Sequence, residues 1–417
     1  MGRDRGRAPS ARGRGGSAGP GGTEHAAGSA RLKFPLLIVS AGEPSGDRLG
    51  ADLLAALRAR GVSFQAKGIG GPMLREAGLE TIASMESIAV MGFASILGRL
   101  PEIHNARRGL LRLLAAHPDA VFIPIDSPGL HLALARAAKR MGNRVVYYVC
   151  PQIWAWGRGR IRRLREDVDL TLLLFDFESA LLEEGGAAAR WVGHPAGALH
   201  PQPERRAEVK EMLGLDPREQ LLALLPGSRR DEVRRHLAPM LDGAARVIAQ
   251  LGGRVRAAVS DAGQVTAALR TPEIRALWDI LMPHHWRGDA KELVRGADVA
   301  VVASGTATLE TAALGVPQVI VYKTGWVNYE IAKRLVKVPS IGLANLVAGT
   351  RAAPELIQRN ATGPRVAAEL AKLLTDPAAR DAQLRAFARI SERLGGPGAA
   401  DRAAAALIEF VGSGGAA

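Results

Sequence analysis

Two successive α/β domains of parallel-sheet type, facing each other across a cleft and preceded by a disordered tail, are predicted for this chain. Three observations carry that prediction. Short apolar runs of strand length alternate with helical stretches from Phe34 onward. The layout strand, glycine-bearing loop, helix occurs at Phe34–Arg60 and again from Gln220. A length of 417 residues, 47% of them hydrophobic, exceeds what one compact core usually holds, so about two domains are expected.

The tail comes first. Residues 1–33 hold seven Lys/Arg against two Asp/Glu, are rich in Gly, Arg, Ser and Ala, and lack any apolar run, so they cannot bury enough surface to fold. Without an apolar h-region they are no secretory signal. The net charge of +14 invites nucleic acid, anionic lipid or phosphorylated substrates, and the tail either touches such a partner or is passive. The single cysteine, Cys150, excludes an internal disulfide framework, fits a reducing cytoplasm and lies in a run that buries it. No apolar stretch approaches the ~20 residues that cross a bilayer, so membrane contact would be peripheral.

Phe34–Ala41 reads as the first buried strand, and Gly42-Glu43-Pro44-Ser45-Gly46-Asp47 as the loop at its carboxyl edge, where ligands of open α/β sheets collect; a helix is expected from about Arg48 to Arg60. Neither this loop nor GIGGPM at Gly68–Met73 fits the fingerprint G-x-G-x-x-G or a phosphate loop. Val90–Leu114 sets Leu97, Leu100 and Ile103 at helical spacing beside Arg99, Arg107, Arg108 and Arg112, with Pro101 predicting a break or a fresh start. It suits a surface that inserts shallowly into acyl chains or a helix with its stripe in the core. Ala120–Ile125 delivers Asp126 to the ligand edge of the sheet, as a general base or a helix cap. After the strand Val145–Val149, Trp154 and Trp156 precede a helix bearing Arg158, Arg160, Arg162, Arg163 and Arg165, which suits a sugar face and a phosphate or is a solvated basic helix.

Asp167 and Asp169 form a D-x-D pair, but it precedes the strand Leu170–Leu174 rather than following one, and His284-His285 is too sparse to ligate; no essential metal is expected. Leu199–Arg206, with Pro201 and Pro203, is the linker candidate. The second alternation opens with Gln220–Leu225 and Pro226–Arg230, where the N–H groups of Gly227 and Ser228 and the guanidinium of Arg229 suit a pyrophosphate. The strand Val255–Val259 follows. Asp298–Tyr322 then reads as one βαβ unit: strand Val299–Ala303, a turn at Ser304-Gly305-Thr306, a helix closed by Gly315-Val316-Pro317, and strand Gln318–Tyr322. Its helix start suits a diphosphate and Glu310, one turn in, suits two ribose hydroxyls, although a purely structural crossover would look the same. Tyr329–Val338 reads as a basic helix, Ile341–Gly349 as a loop carrying Asn345, and Pro364–Val411 as helical.

AGEPSGD (Ala41–Asp47), IDSP (Ile125–Pro128), PQIWAW (Pro151–Trp156), GHP (Gly193–Pro195), PGSR (Pro226–Arg229), SGTATLE (Ser304–Glu310) and KRLVK with NLVAG (Lys333–Lys337, Asn345–Gly349) stand in this order. In that series the chain resembles the lipid-A-disaccharide synthase family, GT-B glycosyltransferases of two Rossmann-like domains. The resemblance implies a lipid-binding acceptor domain at 34–198 and a UDP-sugar domain at 199–411, with the last helices able to pack back on the first. It implies transfer of the sugar of UDP-2,3-diacylglucosamine to 2,3-diacylglucosamine 1-phosphate (lipid X), giving lipid A disaccharide 1-phosphate and UDP. By similarity Asp126 is the general base, Gly227, Ser228, Arg229, Ser304, Gly305, Thr306 and Glu310 form the UDP site, and Glu43, Ser45, Asp47 and Asn345 are acceptor or active-site groups. No cofactor, metal or nucleic acid is implied. The expected place is the cytoplasmic face of the inner membrane, held peripherally, and a homodimer is allowed.

The chain departs from the family's pattern at Ser95, where an acidic residue is common, at Gly129 and His131 in a segment often reading P-D-F-N, and at Asp176 in a segment often reading L-P-F-E. These departures touch acceptor or acyl contacts and leave the UDP site intact. The rivals are another GT-B UDP-N-acetylglucosamine transferase or 2-epimerase, and a nonenzymatic RNA or anionic-surface binder suggested by the charge.

Overall fold

The computed structural model describes residues 34–85, 93–154, 159–252, 254–326, 329–330, 333 and 340–413. The tail 1–33, Trp156, Arg158, Lys337 and the side chains of Ser95, Leu97, Arg99 and Leu100 lie outside the described residues.

Two all-parallel sheets form the frame. The first holds β1 (Leu37–Ala41), β2 (Ala66–Gly70), β3 (Glu80–Ser84), β4 (Val121–Ile125), β5 (Arg144–Tyr148), β6 (Leu170–Leu173) and β7 (Ala189–Trp191), in the order β3-β2-β1-β4-β5-β6-β7. The second holds β8 (Gln220–Leu225), β9 (Val255–Ser260), β10 (His284–Trp286), β11 (Val299–Ala303), β12 (Gln318–Tyr322) and β13 (Glu355–Ile357), in the order β10-β9-β8-β11-β12-β13. Strands covered by helices on both faces are almost wholly apolar, and β1, β4 and β11 are buried at every residue, with Ser40 of β1 the one polar side chain among the three. Each sheet reverses its winding once, between β1 and β4 and between β8 and β11. At such a switch point adjacent loops leave in opposite directions and open a crevice.

Several boundaries differ from expectation. The first helix is Pro44–Ala59, so Ser45 and Asp47 belong to its opening turn; Pro44 at N1 fixes a helical φ and needs no N–H partner there. The helix Phe93–Ala116 runs through Pro101, which is exposed, so water can serve the carbonyl left unpaired. Its described carboxyl half packs Ala106, Leu110 and Leu114 into the core. Asn345 lies on a short helix, Leu343–Ala348, rather than in a loop.

The last two helices stitch the halves together. Pro377–Arg393 lies against the helix Thr306–Ala313, while Ala399–Ser413 packs on Pro44–Ala59, and Leu309, Ala312, Phe387, Ile390, Leu407 and Leu54 share one hydrophobic core. Arg60 forks onto Asp401 with two bonds of 2.7 Å, and Arg402 donates to the Val192 carbonyl at 2.8 Å.

Candidate active site

The two switch points face the same space. A cavity of about 590 Å³ is lined from the first half by Ser45, Arg48, Asp126, Trp154, Phe175, Glu178 and His194, and from the second by Ser228, Lys291, Thr306 and Glu310. Glu43 and Arg229 meet beside it, Arg229 Nη2 lying 2.7 Å from Glu43 Oε2 and Nη1 3.1 Å from Glu232.

Asp126 ends β4 in left-handed backbone, φ 50°, and Ser127 follows at φ 48°. The carboxylate does not cap the following helix; Ser127 takes the cap position, also without a side-chain bond. Burial, and then the charge of Glu43, push the Asp126 carboxyl above its ordinary range, while the Ser127 N–H and Arg229 pull the other way. Next door, β5 runs into Val149 at φ 75°, a costly conformation for a β-branched residue. Such strain concentrates where a loop is shaped for use.

The second half contributes two helix starts, Arg230–Leu251 and Thr306–Ala313, whose unpaired N–H groups and dipoles favour an anion. Thr306 is exposed and Glu310 half-buried one turn on. Burial raises the Glu310 carboxyl, and the Lys291 and Arg48 charges hold it down. Arg48 comes from the first half, so the cleft carries two cationic side chains that act across it, Arg48 toward Glu310 and Arg229 toward Glu43.

Not every expected residue reaches the cavity. Asp47 is buried and its carboxylate accepts from the N–H groups of Gly71, Met73 and Leu74 at 2.6, 3.0 and 3.2 Å, capping the helix Pro72–Glu76. This also explains GIGGPM: a Cβ on Gly71 would stand 2.5 Å from Asp47, and one on Gly68, at φ 148°, 1.9 Å from the Val39 carbonyl. Asn345 is buried, its amide donating to the Ala353 carbonyl and Glu355 and accepting from the Ala353 N–H, all at 2.8 Å. Ser304 donates its hydroxyl to the Ile341 carbonyl at 2.9 Å. These three hold the loops that carry the lining residues. Gly227 and Gly305 flank the lining.

Trp154, one of the two tryptophans that suit a sugar face, lines the cavity, and the other side chains grouped with it were not anticipated. Trp154, Phe177, Phe175 and His194 form a row: Phe175 stacks on His194 and on Phe177 with centroids 5.6 and 5.5 Å apart, and Trp154 meets Phe177 edge-on. Glu178 is buried behind them, accepting from Trp154 Nε1 at 3.1 Å, and burial pushes it up to about 8 against the pull of Trp154 and the Phe175 N–H. His194 Nδ1 accepts from the Ala196 N–H, so its proton sits on Nε2; burial holds the ring down at about 4 and hence neutral. Cys150 also lines the cavity, and burial drives its thiol well above the usual range. Lys291 and Arg48 gave no local signal, since a lone lysine or arginine near a helix start carries no pattern of its own.

Asp169 accepts from Lys139 at 2.6 Å and from the Val145 N–H at 2.8 Å, a structural role far from ligation. His285 bonds Asp261 at 2.8 Å. Among the described residues no group of three His, Cys, Asp or Glu side chains converges in a way that would hold a metal, and no helix is long and apolar enough to cross a membrane.

Comparison with known proteins gives a family and a fold. The profile of the family described as lipid-A-disaccharide synthetase matches residues 37–405. The lipid-A-disaccharide synthase of Anaeromyxobacter dehalogenans is 40% identical over 386 residues, covering 91% of this chain and 98% of that protein. That of Neisseria meningitidis is 38% identical over 389 residues, covering 91% and 99%. Among solved structures, the UDP-GlcNAc 2-epimerase of Neisseria meningitidis bound to UDP-GlcNAc superimposes with a TM-score of 0.57 at 12% identity, covering 91% of this chain and all of that one. A likeness at that identity speaks for the two-domain fold alone.

Proposed function

The chain belongs to the lipid-A-disaccharide synthetase family and is a glycosyltransferase of lipid A disaccharide synthesis; on that premise we propose how its cleft divides the work. The observation that carries the reading is a cavity shared by the two switch points, with Asp126 on one wall and Thr306 and Glu310 on the other.

The second half holds UDP: the two helix starts and Arg229 meet the diphosphate, and Glu310 accepts from the ribose hydroxyls. The first half holds the acceptor. A sugar hydroxyl is a weak nucleophile until a base takes its proton as the new bond forms, and Asp126 is the carboxylate placed to do so. The oxygen attacks the anomeric carbon from the face opposite the UDP, the carbon–oxygen bond to the diphosphate breaks, and the α-linked donor yields the β-1,6 product. Charge growing on the departing UDP is met by Arg229, Lys291 and the helix dipoles. The aromatic row and the apolar residues around Glu178 give the acylated acceptor a dry wall. UDP-2,3-diacylglucosamine and lipid X are the substrates, and both carry acyl chains, so the enzyme works at the cytoplasmic face of the inner membrane, held peripherally. The 34–198 and 199–411 division and a homodimer belong to the same proposal.

Mass spectrometry of products from diacylated donor and acceptor, with EDTA present, tests it. A disaccharide 1-phosphate is expected; turnover of unacylated UDP-N-acetylglucosamine with none of the diacylated donor would reject the reading in favour of the other GT-B enzymes.

A further inference from the structure

The left-handed turn at Asp126 and Ser127 is unusual because two non-glycine residues adopt it in succession, and it persists only if its surroundings over-determine it. The Asp126 N–H donates to the Tyr148 carbonyl at 2.9 Å and the Ser127 carbonyl accepts from the Leu130 and His131 N–H groups at 3.1 Å, while the side-chain hold converges on one atom. The Asp126 carbonyl oxygen accepts from His131 Nδ1 at 2.7 Å and from the Tyr147 hydroxyl at 2.7 Å. A carbonyl can only accept, so the His131 proton must lie on Nδ1, which leaves Nε2 to accept from the Ser40 hydroxyl at 2.9 Å. The relay runs Ser40 to His131 to the Asp126 carbonyl, with Tyr147 arriving from the other side. It draws on β1 and β5, the two neighbours of β4, and on the helix Pro128–Arg140 that follows β4.

Ser40, His131 and Tyr147 are all fully buried, and none lines the cavity. Burial holds His131 down at about 4 and pushes the Tyr147 phenol far up, so both donors keep their protons where they are at neutral pH. Their reach therefore ends at the backbone of Asp126.

We propose that His131 and Tyr147 are positioning residues: their joint hold on the Asp126 carbonyl fixes the left-handed turn and so aims the Asp126 carboxylate into the cleft. This rests on the reading of Asp126 as general base. It also gives the departure at His131 a role, because an imidazole Nδ1–H and an asparagine amide N–H stand at a similar distance from Cβ, and either can donate to the same carbonyl.

The test is steady-state kinetics, UDP affinity and melting temperature for Tyr147→Phe, His131→Leu and His131→Asn, each alone and combined with Asp126→Asn. Tyr147→Phe and His131→Leu should lower kcat about ten- to a hundredfold, as sub-ångström misplacement of a reacting group does, with donor KM and UDP affinity within about twofold. His131→Asn should recover most of the loss. In the Asp126→Asn background neither change should cost more than about twofold, because the carboxylate they aim is gone. Losses that multiply with Asp126→Asn, losses that appear as weaker UDP binding, or an unimpaired Tyr147→Phe enzyme overturn the proposal while leaving the base intact. Full kcat in Asp126→Asn alone removes the base itself. Tyr147→Phe keeps the packing, so the comparison survives if His131→Leu does not fold.

Discussion

Arg229 reaches out of the second sheet's switch loop and sets a guanidinium nitrogen 2.7 Å from the carboxylate of Glu43, at the switch loop of the first. Both side chains are about two-fifths exposed, so the pair adds little to stability. Its consequence is electrostatic. Arg229 is the group that would meet a diphosphate, and Glu43 is the charge that helps lift the Asp126 carboxyl. In the proposed reading, one contact thus couples the nucleotide end of the cleft to the base.

Neutralising Glu43 separates these effects. Burial and the Glu43 charge both raise Asp126, so Glu43→Gln removes one of the two and Asp126 falls toward its ordinary range. A base must be ionised to work, so the acid limb of kcat/KM should move to lower pH in the variant. A pH–rate profile of both enzymes decides the matter, and an unmoved limb, or one displaced upward, would mean that Glu43 does not act on the base.

Asp126→Asn keeps the shape of the side chain and discards its proton affinity. UDP binding should be unchanged by calorimetry, and kcat should fall by a factor on the order of 10² or more. A variant with normal turnover would take Asp126 out of the reaction.

The central strands were legible because a strand buried on both faces must be apolar at nearly every position, which is how Phe34–Ala41, Ala120–Ile125 and Val299–Ala303 announced themselves. The outer strands were not. Glu80–Ser84 is largely exposed, Ala66–Gly70 spends two of five positions on glycine, and His284–Trp286 has only three residues, so none carries an apolar pattern to read. Motif residues divided by what their neighbours demanded. Asp126, Thr306 and Glu310 line the cavity, whereas Asp47 and Asn345, equally prominent in their motifs, spend their hydrogen bonds on neighbouring segments, Asp47 on the backbone of Gly71, Met73 and Leu74 and Asn345 on Ala353 and Glu355. A motif marks a loop that matters; which of its side chains faces the ligand depends on contacts with segments outside the motif.

Glu310 carries the ribose in this reading. Hydrogen bonds to a charged acceptor contribute about 1.5–3 kcal/mol, so Glu310→Ala should weaken UDP about ten- to a hundredfold and raise donor KM, with a smaller change in kcat. Titration calorimetry with UDP measures it. Unaltered affinity would move the ribose elsewhere.

Glu178 predicts a pH-dependent stability whose sign is set by its burial. In the native protein the carboxyl keeps its proton up to about 8, while in the unfolded chain it gives the proton up near 4.5. Between those values the native state binds the extra proton, so this contribution is complete below 4.5, declines as pH rises, and is gone above 8. The slope is at most about 1.4 kcal/mol per pH unit. Glu178→Gln preserves the oxygen that accepts from Trp154 Nε1 and abolishes the titration. Melting curves of the two proteins across that window should therefore diverge, the variant gaining on the wild type as pH rises and the gap levelling off above 8. A gap that stays constant with pH would show that the Glu178 carboxyl is ionised in the native cleft, and the wall proposed for the acceptor would then be charged rather than dry.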